Sequence, residues 1–407
     1  MIPWILTLGL LSAPTGAPEA RPTLSPEPAP RAAGSRLAIR AKHVLRPDGS
    51  LLENGVILIE DGRIQSVGAD VDVPEGVRVV EHGGTVSPGL IAGRTFGGLS
   101  GGAVDKTRTF LPGAQVADAV DPDHSDFEKA LHAGITTVVL SPLPETVAPG
   151  TTAVVKTAGA RALKIDAHLA LALAPSAFDS VRLPTSIGGA MRAIEERLAQ
   201  DEGPFARVAA GELPVLIEVE WGSRPEQPSG PSFFFPPPPS APDSAGDPED
   251  SRAAVQRACA LASRHGLKGA LRGGSLAGEI APTVKESGLA VVLGPYGPGT
   301  SERALRASAS LAEAGVPLAF ALDAPEHSPE ALRMTAALCV RAGMDRGAAL
   351  RALTSEAARI AGVGDRVGRL ERGMDADLVL WSGHPLDLAS VIEAVYVDGV
   401  RVHGGDQ

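Results

Sequence analysis

The sequence predicts a closed (β/α) barrel carrying a small β-sandwich built from both ends of the chain. Two patterns carry this expectation. From Pro88 to about Gly364, apolar strand-like runs alternate with amphipathic stretches about seven or eight times. Strands alternating with helices make βα units and a parallel sheet, and that many units close into a barrel. On either side, residues 36–87 and 367–407 hold short β-rich runs punctuated by turn dipeptides. Two such blocks flanking a barrel can pair as one sandwich. A chain of 407 residues is long enough for both units.

The chain opens with a short apolar run, Ile2–Ala13, followed by small residues. It is too short for a transmembrane helix. It fits the apolar core of a secretory signal, although no Lys or Arg precedes Arg21. No cysteine follows to support a lipid anchor. The expected localisation is export, to the periplasm or the cell exterior. Pro14–Gly34 is rich in Pro and Ala and reads as an extended linker, so residues 1–35 stand apart as signal segment and linker.

Residues 36–87 form the first part of the sandwich. Leu37–Ile39, Val56–Ile59, Ile64–Val67 and Val77–Val80 are β-rich, with turn signals at Asp48-Gly49, Asn54-Gly55 and Asp61-Gly62. Gly55–Gly68 is a hairpin candidate. Residues 88–366 form the barrel. Its strand candidates include Thr136–Leu140, Thr152–Val155, Leu169–Leu173, Val215–Val219, Gly269–Leu271, Ala290–Leu293 and Leu318–Leu322. Ile187, Met191, Ile194 and Leu198 recur at helical spacing. Ser328-Pro329-Glu330 reads as an N-cap, a first-turn proline and a first-turn acid, and Gly343 can close that helix. Residues 222–250 break the pattern with Pro, Ser and Gly and a Phe233-Phe234-Phe235 triplet. They are expected to be a disordered low-complexity insertion, with the triplet either a lid over the barrel mouth or part of a mobile, sticky loop. Residues 367–407 return to strands at Asp377–Trp381 and Ala394–Val402, with turns at Asp398-Gly399 and Gly404-Gly405.

Composition excludes several classes of function. The net charge of −11 and pI of about 5.4 argue against nucleic acid and anionic membrane surfaces. There is no Gly-rich phosphate loop, no Cys-x-x-Cys and no nucleophile elbow. Cys259 and Cys339 fall in predicted helices, as two buried thiols or, in an oxidising compartment, as a pair.

Several ordered segments resemble the amidohydrolase superfamily, in particular its exported imidazolonepropionase-like members. They are Glu60-Asp61-Gly62-Arg63-Ile64, Val86-Ser87-Pro88-Gly89-Leu90-Ile91, the Ala130–Val138 run, Thr354–Gly362, Gly368–Leu380 and Val395–Gly399. Singly each is weak. In this order they are specific, and they cover about 36–407. The resemblance implies a TIM-like (β/α)8 barrel with a composite sandwich. It also implies metal-dependent hydrolysis of an amide, cyclic amide or dipeptide C–N bond, with an aspartate on the last strand shuttling protons.

Carried over residue by residue, most of the implied ligands are substituted. The first strand normally leads into a pair of histidines; Arg94 and Phe96 stand in their places. Arginine offers no lone pair and phenylalanine no ligand atom. Glu220, with Glu218 beside it, occupies the fifth-strand histidine region, and Gly273 the sixth-strand histidine position after Arg272. Asp323 matches the catalytic aspartate. No metal cofactor is therefore expected, and a weak or inactive hydrolase is. Carboxylates gathered at a barrel mouth need countercharge. An Arg94–Glu220–Asp323 cluster, with Glu218 and Arg272 in the same pocket, would supply it. Against this stands a hard cation held through oxygen by Glu218, Glu220 and Asp323.

Three functional readings remain open: a non-catalytic envelope protein binding a small ligand or a partner at the mouth, a hydrolase with a displaced metal site, and a structural partner of a homologous subunit. Other candidates are the acidic stretch Asp121, Asp123, His124 and Asp126, which lacks the glycine and terminal Glu of an EF-hand loop and reads as surface loop. Lys156 and Lys164 are placed near the fourth strand, as a modified lysine or as structural lysines. His168 reads as a satisfied core histidine, and His132, His265 and His327 as isolated.

Overall fold

The computed structural model describes residues 24, 35–100, 105, 107–178, 183–200, 202–220 and 248–405. The expected signal run, nearly all of the linker, and residues 222–247 of the insertion with its Phe triplet lie outside them. No helix among the described residues is long and apolar enough to cross a membrane.

In chain order the strands are β1 (Arg36–Leu45), β2 (Leu51–Glu60), β3 (Arg63–Gly68), β4 (Arg78–Pro88), β5 (Leu90–Thr95), β6 (Ile135–Leu140), β7 (Gly150–Thr151), β8 (Ala153–Lys156), β9 (Arg161–Lys164), β10 (Leu169–Ala172), β11 (Val215–Glu218), β12 (Gly269–Arg272), β13 (Ala290–Leu293), β14 (Leu318–Phe320), β15 (Leu378–Trp381), β16 (Ile392–Val397) and β17 (Val400–His403). The α-helices are α1 (Ser125–His132), α2 (Ile187–Leu198), α3 (Gly203–Ala209), α4 (Pro248–His265), α5 (Ala281–Ser287), α6 (Glu302–Glu313), α7 (Ala331–Arg341), α8 (Arg346–Leu353) and α9 (Ser355–Ile360).

The chain ends do combine, but as one curled sheet in the order β17-β16-β15-β4-β1-β2-β3, not as two separate layers. The junction is the antiparallel β4–β15 pair, with Val86 opposite Leu380. Curling brings the β2–β3 turn at Asp61-Gly62 against the β16–β17 turn at Asp398-Gly399. A side chain at Gly62 would meet the Asp398 carbonyl at 2.6 Å, so only glycine lets the two turns touch. Both turns place their two central residues at positive φ (50° and 75°; 50° and 74°), the geometry of tight hairpins. Ile39, Ile57, Ile59, Ile64, Val86 and Leu378 fill the inside of the curl. Asn54-Gly55 is not a turn. It lies within β2, where Asn54 takes φ 49° and a Gly55 side chain would strike Val44.

The barrel strands form a six-stranded sheet, β14-β13-β12-β11-β10-β7, and a four-stranded sheet, β5-β6-β8-β9. Backbone hydrogen bonds join them: Leu322 N donates to Arg94 O (2.9 Å) and Phe96 N to Ala324 O (3.2 Å), while Thr152 N donates to His168 O (2.9 Å). Strands β10 to β14 run parallel with short buried apolar runs, as expected. The expected strict alternation fails between β6 and β10, where β8 pairs antiparallel with both β6 and β9. The connection from Lys156 to Arg161 is too short for a helical crossover, so the chain can only reverse. Helix α2 runs over the expected residues, with Ser186 Oγ accepting from Gly189 N. Helix α7 begins at Ala331, later than expected. Ser328 instead forms the turn leading into it, its carbonyl accepting from Ala331 N.

Lys156 joins the barrel to the curled sheet. It lies opposite Thr137, near the start of β6 and away from that strand's C-terminal end. Its ammonium is fully buried, 3.0 Å from Asp375 Oδ2, 3.0 Å from Asp377 Oδ2 and 2.6 Å from Asp398 Oδ1. Burial pushes its pKa down, but the three carboxylates outweigh it and hold the group charged above the ordinary lysine range. Lys156 is thus a structural lysine, and Lys164 lies half-buried near Gly362. Cys259 and Cys339 are buried free thiols.

His168 is a satisfied core histidine, with Nδ1 2.9 Å from Thr152 Oγ1 and Nε2 2.9 Å from the Ile360 carbonyl. Burial, aided by Lys164, lowers its pKa from 6.5 to about 4. A depressed folded-state pKa contributes stability that is complete above the unfolded value and is lost as pH falls through the folded one. Between pH 6.5 and about 4 the wild type should therefore lose about 3 kcal/mol relative to a His168→Gln variant. Urea unfolding of both proteins across that window checks this. Parallel pH profiles would contradict it.

Candidate active site

The C-terminal ends of β5, β11, β12 and β14 meet on one face, the position at which barrels of this architecture carry their chemistry. Arg94 comes from β5, Glu218 and Arg272 end β11 and β12, and Asp323 follows β14. Glu218 and Arg272 are register partners in the parallel β11–β12 pair. Leu216 belongs to the inner core cluster, and a period of two puts Glu218 and then Glu220 on the same side.

Four ion pairs link these groups. Arg94 Nη1 lies 2.9 Å from Asp323 Oδ1, and its Nη2 lies 3.0 Å from Glu218 Oε2. Arg272 Nη1 lies 2.7 Å from Glu220 Oε2, and its Nη2 bonds Asp323 Oδ2. The Glu220 amide donates to Glu218 Oε1 at 3.3 Å. The Arg94 guanidinium stacks on the Phe96 ring, 4.0 Å from its centroid. The structure thus brings Arg94, Phe96, Glu218, Glu220, Arg272 and Asp323 together, with one change from the expected pairing. Glu218, not Glu220, is the glutamate on Arg94. Glu220 lies beyond the end of β11, is more exposed, and turns to Arg272.

The electrostatics follow from these contacts. Burial pushes Asp323 upward, but Arg272 and Arg94 outweigh it and hold the carboxyl below the ordinary aspartate range. Glu218 has one direct guanidinium partner, and burial wins, raising its pKa. Burial would lower Arg272, yet Asp323, Glu218 and Glu220 together raise it. Asp323 sits at φ 52°, an unusual backbone conformation for a residue with a side chain, and its carboxylate is fixed from both sides. A carboxylate gripped by two guanidiniums is a poor proton acceptor, because its lone pairs are engaged. Beside the network, Arg94, Ser141, Leu216, Glu218 and Arg272 help line a cavity of about 10 Å³, room for about one water.

Gly273 has φ 88°, and a Cβ there would lie 2.4 Å from Glu220 Cβ. A side chain at this position displaces Glu220. Gly273→Ala should cost about 1–3 kcal/mol through backbone strain alone, read as a lower urea midpoint. An unchanged midpoint would contradict this geometry.

The remaining candidates fall elsewhere. Asp121 and Asp123 lie in the turn before α1, His124 is its N-cap, with Nδ1 accepting from Asp126 N at 3.3 Å, and Lys129 pairs with Asp126 at 3.1 Å. His132 stacks on His403, His265 lies 3.7 Å from Glu195, and His327 is exposed. No group of three His, Cys, Asp or Glu suited to a metal ion occurs among the described residues. A larger opening of about 600 Å³ lies on the curled sheet beside Arg36, Arg78 and Tyr396, away from the mouth.

Residues 274–403 match the model of the Amidohydrolase family. The chain is 34% identical over 143 residues to the imidazolonepropionase of Xanthomonas oryzae pv. oryzae (strain PXO99A), a match covering 31% of this chain and 35% of that protein. The match thus spans about a third of the curated relative's length. Among solved structures, an amidohydrolase from Thermotoga maritima MSB8 superimposes with a TM-score of 0.73 at 23% identity, covering 91% of this chain and 100% of that one. An adenosine deaminase from Xanthomonas campestris with bound zinc gives 0.54 at 17% identity, covering 91% and 93%. These structural likenesses extend the fold, a TIM-like barrel with an additional β domain, over nearly the whole chain. The sequence match thus ties residues 274–403 to the amidohydrolase superfamily, and the structural likenesses carry the fold alone beyond them.

Proposed function

We propose that this chain is an amidohydrolase-fold protein in which a guanidinium–carboxylate network replaces the catalytic metal, and that it binds a small ligand or a partner protein in the cell envelope instead of hydrolysing a C–N bond. The observation that carries the reading is the placement of Arg94 and Arg272 among Glu218, Glu220 and Asp323. A divalent metal of the kind the family uses needs deprotonated donors with free lone pairs. Here two fixed cations already engage the carboxylates, and Arg94 and Phe96 offer no donor at the first-strand positions. The residues present do not fit the metal. The reading takes the two sheets as one closed (β/α)8 barrel with the network at its mouth. Export rests on the apolar run at Ile2–Ala13.

Turnover of amide, cyclic amide and dipeptide substrates by the full chain, with and without added zinc or manganese, tests this. The expected result is no hydrolysis above the buffer rate under either condition. Metal-stimulated hydrolysis that disappears in Asp323→Asn would overturn the proposal and restore the hydrolase reading.

A further inference from the structure

The opening of about 600 Å³ on the curled sheet lies at the end where β1 and β4 begin and β17 runs back along β16. Its floor is apolar. Ile59 and Tyr396 belong to the core inside the curl, and Leu37 packs against that core. Strand pairing puts two guanidiniums on the same inner face. Arg78 is the register partner of Leu37, and Val80, next on that face, packs against the core. Arg401 is the register partner of Tyr396. Paired residues share a face of a sheet, and so do alternate residues along a strand. Where the apolar interior of the curl reaches the opening, it therefore ends in Arg78 and Arg401.

The charge around the opening has one sign. Arg36, Arg78, Arg401 and His403 line it, and no Asp or Glu does. Arg36 pairs with Glu60 at 2.7 Å, and Arg401 donates to the Gly405 carbonyl, a neutral acceptor. Arg78 is exposed and forms no ion pair among the described residues. The whole chain carries 48 acidic residues against 37 Lys and Arg, so a cavity lined by cations alone runs against its composition. Val400 and Val402, both exposed, add apolar surface to the wall.

We propose that this opening binds a small amphipathic carboxylate, its anionic head held by Arg78 and Arg401 and its apolar body lying on Leu37, Ile59 and Tyr396. Guanidiniums take a carboxylate through charge-assisted hydrogen bonds, in a geometry that the planar fork matches. A bound carboxylate supplies the countercharge that the lining lacks. Its apolar body removes the floor from water, which a bare inorganic anion cannot do. The opening has the size of a small-molecule site, for which about 300–1,000 Å³ is usual. It is separate from the barrel mouth, and the inference stands whether or not the mouth holds a metal.

The test is calorimetric titration of the full chain with sodium octanoate, with inorganic phosphate as an anion without a tail and 1-octanol as a tail without the anion. The expected result is saturable binding of octanoate, with phosphate and octanol each binding far more weakly. Affinity for octanoate should fall about tenfold in Arg78→Gln and in Arg401→Gln, the loss of one charge-assisted contact in each. Arg78→Gln breaks no ion pair among the described residues and should fold as the wild type does, which circular dichroism checks for every variant. Arg306→Gln removes the same charge from an exposed pair on α6 and should bind as the wild type does. Absence of saturable octanoate binding, full affinity in folded Arg78→Gln, or an equal loss in Arg306→Gln would each overturn the inference. Phosphate or octanol binding as tightly as octanoate would overturn it too, by showing that head and tail are not read together.

Discussion

Replacing Arg94 by alanine should lower the unfolding free energy by about 3–5 kcal/mol, the cost of removing one partner from a buried ion pair. Arg94 is 5% exposed at its side chain and is the direct guanidinium partner of Glu218. Its loss strands that carboxylate in a site where burial already raises its pKa. Asp323 keeps Arg272 and suffers less. The largest part of the loss should therefore be recovered by adding Glu218→Gln, which removes the stranded charge while keeping a polar side chain. Arg94→Lys should fall between, because an ammonium cannot span both carboxylates as the forked guanidinium does. Urea midpoints for the four proteins check this order. A wild-type midpoint for Arg94→Ala would show that the network contributes nothing to the fold.

The second large effect is expected at the far side of the barrel. Lys156→Met should destabilise the protein by about 3–5 kcal/mol, again because one charge is removed from a buried assembly. Three carboxylates surround the ammonium. Asp398 retains Arg161, and Asp375 retains Arg366 at 2.6 Å. Asp377 is left with the Asp398 amide, which donates to its Oδ1 at 2.8 Å. Asp377→Asn in the same chain should consequently recover part of the loss. Because Lys156 belongs to the barrel and its partners to the segment before β15 and the β16–β17 turn, the damage should concentrate in the curled sheet. Limited proteolysis should find faster cleavage within residues 36–87 of Lys156→Met. Unchanged stability and cleavage would contradict the role given to this lysine.

The fold was legible because its strands announce themselves locally. Leu318–Phe320 or Ala290–Leu293 is a short apolar run between turns and helices, and such runs make buried parallel strands wherever they fall. The reversal from β6 through β9 was not legible, because its apolar runs look the same whichever way they point, and only the short Lys156–Arg161 connection gives direction. The curled sheet was read as two layers for a related reason. Turn dipeptides mark where a chain reverses but not how far a sheet bends, and the contact between Gly62 and Asp398 joins residues far apart in sequence.

At the mouth, strand alternation shows that Glu218 and Glu220 share a side, but which of them meets Arg94 depends on where β11 stops. The Lys156 cluster was hidden more deeply. Asp375, Asp377 and Asp398 lie in segments that read as turns and a return strand, and nothing in their spacing points to a lysine more than 200 residues earlier.

Metal content by plasma mass spectrometry tests the central claim most directly. The full chain would be soaked in zinc or manganese, desalted and measured beside an Asp323→Asn variant. If the guanidinium–carboxylate network has replaced the metal, both proteins will carry no metal above the buffer background. About one equivalent of tightly held metal in the wild type, lost in Asp323→Asn, would show that Arg94 and Arg272 do not close the site.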